Sequence, residues 1–182
     1  NNKSYEIITT NGHYQADKIV IATGSPASHL SGQNNLKMLE KMNVSLIPFT
    51  PSLVQVKTKP VFKALKGQRV KGIVTLYDQN QLIEKQTGEI MFTDYGLSGI
   101  CVMQLSRYLE HLKNPKLVLN LLPDIEKEEL QHYGLEGFFH EKIVHVFKEK
   151  NIDPQHIEIK IVDTMPIEKA QVCHGGVSLK EV

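Results

Sequence analysis

Between Val44 and Phe92 the chain breaks into apolar runs too short for helices, and this rhythm narrows the possible folds more than any motif does. SLIPF, SLVQVKT, RVKGIVTLYD, QLIEKQ and EIMFT each read as a strand. Between them stand Pro48, Pro51, Pro60, Gly67, Asp78-Gln79-Asn80 and Thr87-Gly88, residues that interrupt a ladder or turn the chain. Short strands with evenly spaced turns predict an antiparallel barrel or sandwich.

The flanks read differently. Residues 4–22 predict a β-hairpin: SYEIITT, a turn at Asn11-Gly12, and YQADKIVIA returning. The return strand ends in the apolar run Ile19 to Ala22, which suits a strand covered on both faces and so needs neighbours. The remaining sequence does not supply enough of them. Residues 23–33 read as a loop and 34–43 as a short helix. After the β-rich stretch, residues 100–112 predict a helix with Cys101, Leu105, Tyr108 and Leu112 on one side. KLVLNLL is a strand, 124–150 are helical in two pieces split near Gly134 and Gly137, and HIEIKIVD is a strand. AQVCHGGVSLKEV closes with a strand, a Gly-Gly kink and another strand.

At 182 residues the chain suits one domain, or a small domain with a covering subdomain. Its 21 basic and 20 acidic residues leave a net charge of +1, without the basic excess of a nucleic-acid binder. Lys57, Lys59, Lys63 and Lys66 come closest to a basic cluster and read as a solvated connection. Cys101 and Cys173 lie far apart with no CxxC, which points to free thiols in a reducing compartment. No apolar run reaches the length of a membrane span, and the N-terminus does not read as a signal peptide, so a cytoplasmic location is expected.

Three segments carry glycines where a ligand could approach backbone. Ala22-Thr23-Gly24 follows an apolar strand, and ligands of open sheets bind beyond such carboxyl ends. It is also a common turn. Tyr95-Gly96-Leu97-Ser98-Gly99 precedes a helix, whose free N–H groups can hold an anion; equally, Ser98 can be the N-cap. Cys173-His174-Gly175-Gly176 pairs a thiol with an imidazole, but adjacent strand residues point to opposite faces, which argues against a catalytic dyad. His140-Glu141 and His145 sit at i, i+5 and miss the i, i+4 spacing of a zinc helix, so no metal site is expected. Neither G-x-G-x-x-G nor a Walker loop occurs.

Together, DKIVIATG, TPSLVQV, KGIVTL, GEIMFTDYGLSG, LNLLPD and AQVCHGGVSLKEV follow one another in an order that resembles the BaiN/YhiN-type flavoproteins, which include aminoacetone oxidase-like enzymes. The resemblance covers nearly the whole chain. It implies an α+β chain: a small antiparallel β-barrel insert domain with a short helical subdomain, flanked by strands of a truncated Rossmann-like FAD domain. The implied segments are 1–45 (part of the FAD domain), 46–122 (barrel with one helix), 123–152 (helical) and 153–182 (last barrel strand and return to the FAD domain). The glycine fingerprint and the closing flavin segment would lie outside the chain, which is then a piece of an FAD-dependent oxidoreductase, inactive alone, with the rest of the FAD domain as its partner. Ala22, Thr23, Gly24, Gly175 and Gly176 are implied flavin neighbours, and Tyr95, Gly96, Ser98 and Gly99 a substrate-side loop. Three positions depart from the family pattern: Ser25 for a second Gly, Asp94 for His and Ile100 for Pro. The alternatives are a non-enzymatic binding or cover module acting with a partner chain and an anion-binding domain using the GLSG helix start. Unpaired strand edges also allow self-association.

Overall fold

The computed structural model of the chain describes residues 4–27 and 36–181. It is an α+β fold organised on a closed barrel of six antiparallel strands. Those strands are β4 (Val56–Lys59), β5 (Arg69–Asp78), β6 (Gln81–Phe92), β7 (Gly96–Ser98), β8 (Pro115–Asn120) and β9 (Ile157–Thr164). Their order around the barrel is β4-β7-β6-β5-β8-β9, with β9 returning to β4. Closure leaves these strands without a free edge.

Alternation along the strands builds the core. In β9, Ile157, Ile159 and Ile161 point inward while Glu158, Lys160 and Val162 face out. Their inward partners include Val56, Val74, Leu76, Ile90, Phe92, Leu117 and Leu119. Phe62 meets Phe92 edge to face, ring centroids 5.9 Å apart. Two helices add to the same core. One is α2 (Ile100–Leu105), with Cys101, Val102 and Leu105 buried. The other is α4 (Glu141–Glu149), whose Ile143, Val146 and Phe147 share one apolar face. Helix α3 (Lys127–Tyr133) precedes α4, and the break between them falls at Gly134 and a single 3-10 turn, Leu135–Gly137.

Outside the barrel lie two ribbons. β1 (Tyr5–Thr9) pairs with β2 (Gly12–Ala16), and β3 (Leu46–Ser52) pairs with β10 (Val172–Val177). SLIPF and the start of SLVQVKT therefore form one strand through both Pro48 and Pro51, which a two-stranded ribbon tolerates because each strand has an open side. Leu53, with φ 50°, breaks β3 from β4 and turns the chain into the barrel. Helix α1 (Leu36–Lys41) lies within the expected 34–43 segment, of which residues 34 and 35 are outside the described residues, as are 28–33 of the expected loop.

Four expectations need correction. QLIEKQ and EIMFT are one strand, β6, and Thr87-Gly88 is not a turn. Gly88 instead faces Gly72 across the ladder, and a side chain there would meet Cβ of Cys101 at 3.4 Å. A Cβ there would just fill the remaining space under α2, so only a larger side chain would press on the helix. The 100–112 helix is α2 followed by a 3-10 segment, Ser106–His111. Third, β2 stops at Ala16: Ile19 to Ala22 forms no strand among the described residues, and Val20 is 90% exposed. The hairpin turn itself occupies Thr10 and Asn11, one residue earlier than expected, because Thr9 pairs with Gly12.

Candidate functional site

The ribbon β3–β10 brings together residues that are far apart in sequence. Ala22, Thr23 and Gly24 face Gly175 and Gly176 across a cleft of about 450 Å³. Its walls are completed by Ile21, Ser25, Leu39, Phe49, Gln171 and residues of β10 on either side of the glycines. All five expected cofactor-side residues thus share one cavity.

The glycines there are required by geometry. Gly24 has φ 76°, Gly175 φ 109° and Gly176 φ 110°, values that L side chains rarely adopt. A Cβ on Gly175 would lie 2.4 Å from the Pro48 carbonyl oxygen, so the two strands touch backbone to backbone at that point. The pairing register also slips between His174 and Gly176. This bulge removes side chains from the cleft floor and exposes main chain to whatever occupies it.

Cys173 and His174 point to opposite sides of β10, as strand alternation requires. Cys173 lines the cleft, and His174 lines a separate cavity of about 510 Å³ between the ribbon, the 3-10 segment and β9. There His174 Nδ1 lies 3.4 Å from Glu110 Oε2, and the Thr50 hydroxyl donates to the same carboxylate oxygen at 3.2 Å. Val54 N–H donates to Ser106 Oγ (3.1 Å), whose hydroxyl donates to the Met103 carbonyl at 2.7 Å. These bonds hold the ribbon against the barrel.

The Tyr95–Gly99 segment lies elsewhere, in the barrel seam, and none of its residues lines the cleft. Gly96 and Gly99 carry φ 156° and 105°. A Cβ at Gly96 would sit 2.3 Å from the Val56 carbonyl oxygen, and one at Gly99 2.2 Å from that of Glu89. Both glycines let short β7 close the barrel between β4 and β6. Ser98 is buried with Oγ 3.9 Å from Met103 Sδ, and Gly99 rather than Ser98 occupies the N-cap of α2, without a side-chain cap bond. Burial raises the Tyr95 phenol pKa. Asp94, in place of the family's His, is held below the usual carboxylate range by a hydrogen bond from Lys66. Burial pushes the Cys101 thiol up, and its Sγ donates to the Glu89 carbonyl at 3.2 Å. His140 caps α4, its Nδ1 accepting from Lys142 N–H at 3.3 Å. Among the described residues no three His, Cys, Asp or Glu side chains converge on a metal position.

The cleft fits one part of a flavin dinucleotide and not the rest. Among the described residues its lining is apolar side chains, two hydroxyls, the Cys173 thiol, the Gln171 amide and main chain, with no charged side chain. That composition suits the flat ring system, whose edge presents hydrogen-bonding groups to backbone. Among the described residues it offers no cationic side chain to a pyrophosphate. Leu39 and Phe49 were not anticipated as walls. Phe49 enters only because β3 pairs with β10, a long-range pairing with no linear signal.

Residues 50–137 match the family described as the HI0933-like protein barrel and H2TH domain. The chain is 29% identical to a 3-dehydro-bile acid delta(4,6)-reductase of Clostridium scindens, in an alignment that covers 99% of this chain and 54% of the relative. The chain thus spans about half the length of the curated relative it matches.

Proposed function

We propose that this chain, which resembles the BaiN/YhiN-like flavoproteins with the HI0933-like barrel, is part of an FAD-dependent oxidoreductase in which Ala22-Thr23-Gly24 and Gly175-Gly176 hold the edge of the flavin ring. The observation that carries this reading is the meeting of those two glycine turns in one uncharged cleft. Bound there, FAD would supply hydride or electron transfer. The chain's residues have simpler tasks. The positive-φ main chain at Gly24, Gly175 and Gly176 lets backbone approach the ring, and Phe49 and Leu39 exclude water from it. The barrel covers the flavin and substrate site and does not carry out the chemistry. Among the described residues the cleft presents no cation to the phosphates, and on this reading the rest of the FAD domain completes the dinucleotide site and the isolated chain is inactive. By likeness to the reductase from Clostridium scindens, the substrate is a small organic molecule reduced by the flavin.

Ala22→Phe in the full-length protein tests this. Ala22 is exposed in the cleft, so the larger ring fills cofactor space without disturbing a packed core. We expect flavin bound after purification, read from its visible absorbance, to fall about tenfold or more, a loss of at least about 1.4 kcal/mol in binding. Full flavin occupancy in the variant would overturn the assignment of the cleft.

A further inference from the structure

The outer face of the barrel carries a row of like charges. Lys59 of β4 is the register partner of Lys160 of β9, and Lys160 is in turn the partner of Lys116 of β8. Directly opposed side chains on neighbouring strands stand about 5 Å apart at Cβ, and like charges so placed repel. The repulsion is only partly relieved. Glu158 Oε2 accepts from Lys116 Nζ at 3.0 Å, while Lys59 and Lys160 have no ion pair among the described residues. The ammonium of Lys116 also lies 5.9 Å from the centre of the Tyr77 ring. The three lysines overlook a depression of about 430 Å³ that also presents the amide side chains of Gln79 and Asn114.

The whole chain is nearly neutral, at +1. This concentration of cations is therefore local, produced by register and not by composition. Lys59, Lys116 and Lys160 less Glu158 leave two positive charges over the depression. A phosphoryl group carries about two negative charges and three acceptor oxygens. A monocarboxylate would answer only one of the two. Ammonium groups bind phosphate as point charges, and the neighbouring amides can donate to the remaining oxygens. Single-stranded nucleic acid needs a longer basic track with stacking rings along it. Here the Tyr77 ring already has Lys116 over it.

We propose that the β4–β9–β8 face of the barrel is a binding site for a phosphate group, free or carried by a small molecule, held by Lys59, Lys116 and Lys160. The site is separate from the flavin cleft and shares no lining residue with it.

The test is titration of the full chain with inorganic phosphate, adenosine monophosphate and a single-stranded oligonucleotide, each against sodium chloride of matched ionic strength near 0.15 M, where the screening length is about 8 Å. Binding is read by calorimetry and by NMR shifts of the lysine ε-methylenes and the Asn114 and Gln79 side-chain amides. The expected result is saturable shifts confined to these groups, weakened about tenfold or more in Lys160→Gln and in Lys59→Gln. Saturation by phosphate and nucleotide alike identifies the bare phosphate group as the ligand; tighter saturation by the nucleotide identifies a phosphomonoester. Both exposed variants should fold, and relief of repulsion should raise their thermal midpoint in the absence of ligand. Shifts no larger than those with sodium chloride, equal binding by the variants, or binding of the oligonucleotide alone would overturn the proposal.

Discussion

At the scale of single residues, glycine decides where backbones meet. Gly99 and Gly67 both have positive φ, yet their surroundings differ: a Cβ at Gly99 would collide with the Glu89 carbonyl, while one at Gly67 meets nothing within 4 Å. Gly99→Ala should therefore cost strain and a steric clash, about 3 kcal/mol or more, and Gly67→Ala about 1 kcal/mol from its backbone conformation alone. Urea midpoints of the two variants measure the difference, and equal midpoints would remove the seam argument. Asp163 offers a second residue-level test. Its carboxylate accepts from Lys57 Nζ at 2.8 Å, across the β4–β9 seam, and this bond lowers its pKa. A lowered carboxylate pKa stabilises the fold above its unfolded value of about 3.9 and ceases to do so as pH falls through the lower folded value. The pair is largely solvent-exposed, so the contribution is below about 1 kcal/mol. Asp163→Asn should destabilise by that amount at pH 7 and have no effect once the pH lies below the folded pKa, in paired denaturation curves.

At the scale of elements, the joints between helix and sheet are the sensitive places. Phe147 on α4 is 1% exposed and packs edge to face with Phe139, centroids 5.7 Å apart. Phe147→Ala should cost about 3–5 kcal/mol, and chemical denaturation would show α4 as an integral part of the barrel core. A loss under about 1 kcal/mol would mean α4 is an independent appendage. Gly88→Val should push α2 from β6 by wedging a side chain against Cys101, at about 1–3 kcal/mol, and should increase the reactivity of the Cys101 thiol toward alkylating reagents. Unchanged alkylation would show that α2 had not moved. These same joints mark the limit of what the sequence discloses. Strict alternation made β9 legible, and Asp78-Gln79-Asn80 marked the β5–β6 turn, where Gln79 takes φ 56°. Thr87-Gly88 read as a turn because a glycine that bends a chain and one that lies beneath a helix look identical in one dimension. The run Ile19 to Ala22 read as a buried strand because its side chains ask for cover that the described residues do not provide.

At the scale of the whole molecule, the candidate cleft was partly legible. The two glycine turns could be named from the sequence, and the resemblance set both beside the flavin, but no linear signal showed the pairing of β3 with β10 that shapes the cleft. The lysine row was hidden for the same reason. Lys57 and Lys59 looked like part of a solvated loop, while Lys116 and Lys160 stood in other strands altogether. Only the cross-strand register aligns Lys59, Lys160 and Lys116.

The β3–β10 ribbon has one further consequence. Ser52 and Val172 are register partners, so the chain enters and leaves the region 53–171 through adjacent doors. A host sheet need accommodate only two neighbouring strands to carry everything between them. The barrel thus hangs from the ribbon by two neighbouring strands, and the wall that carries Gly175 and Gly176 is one of them.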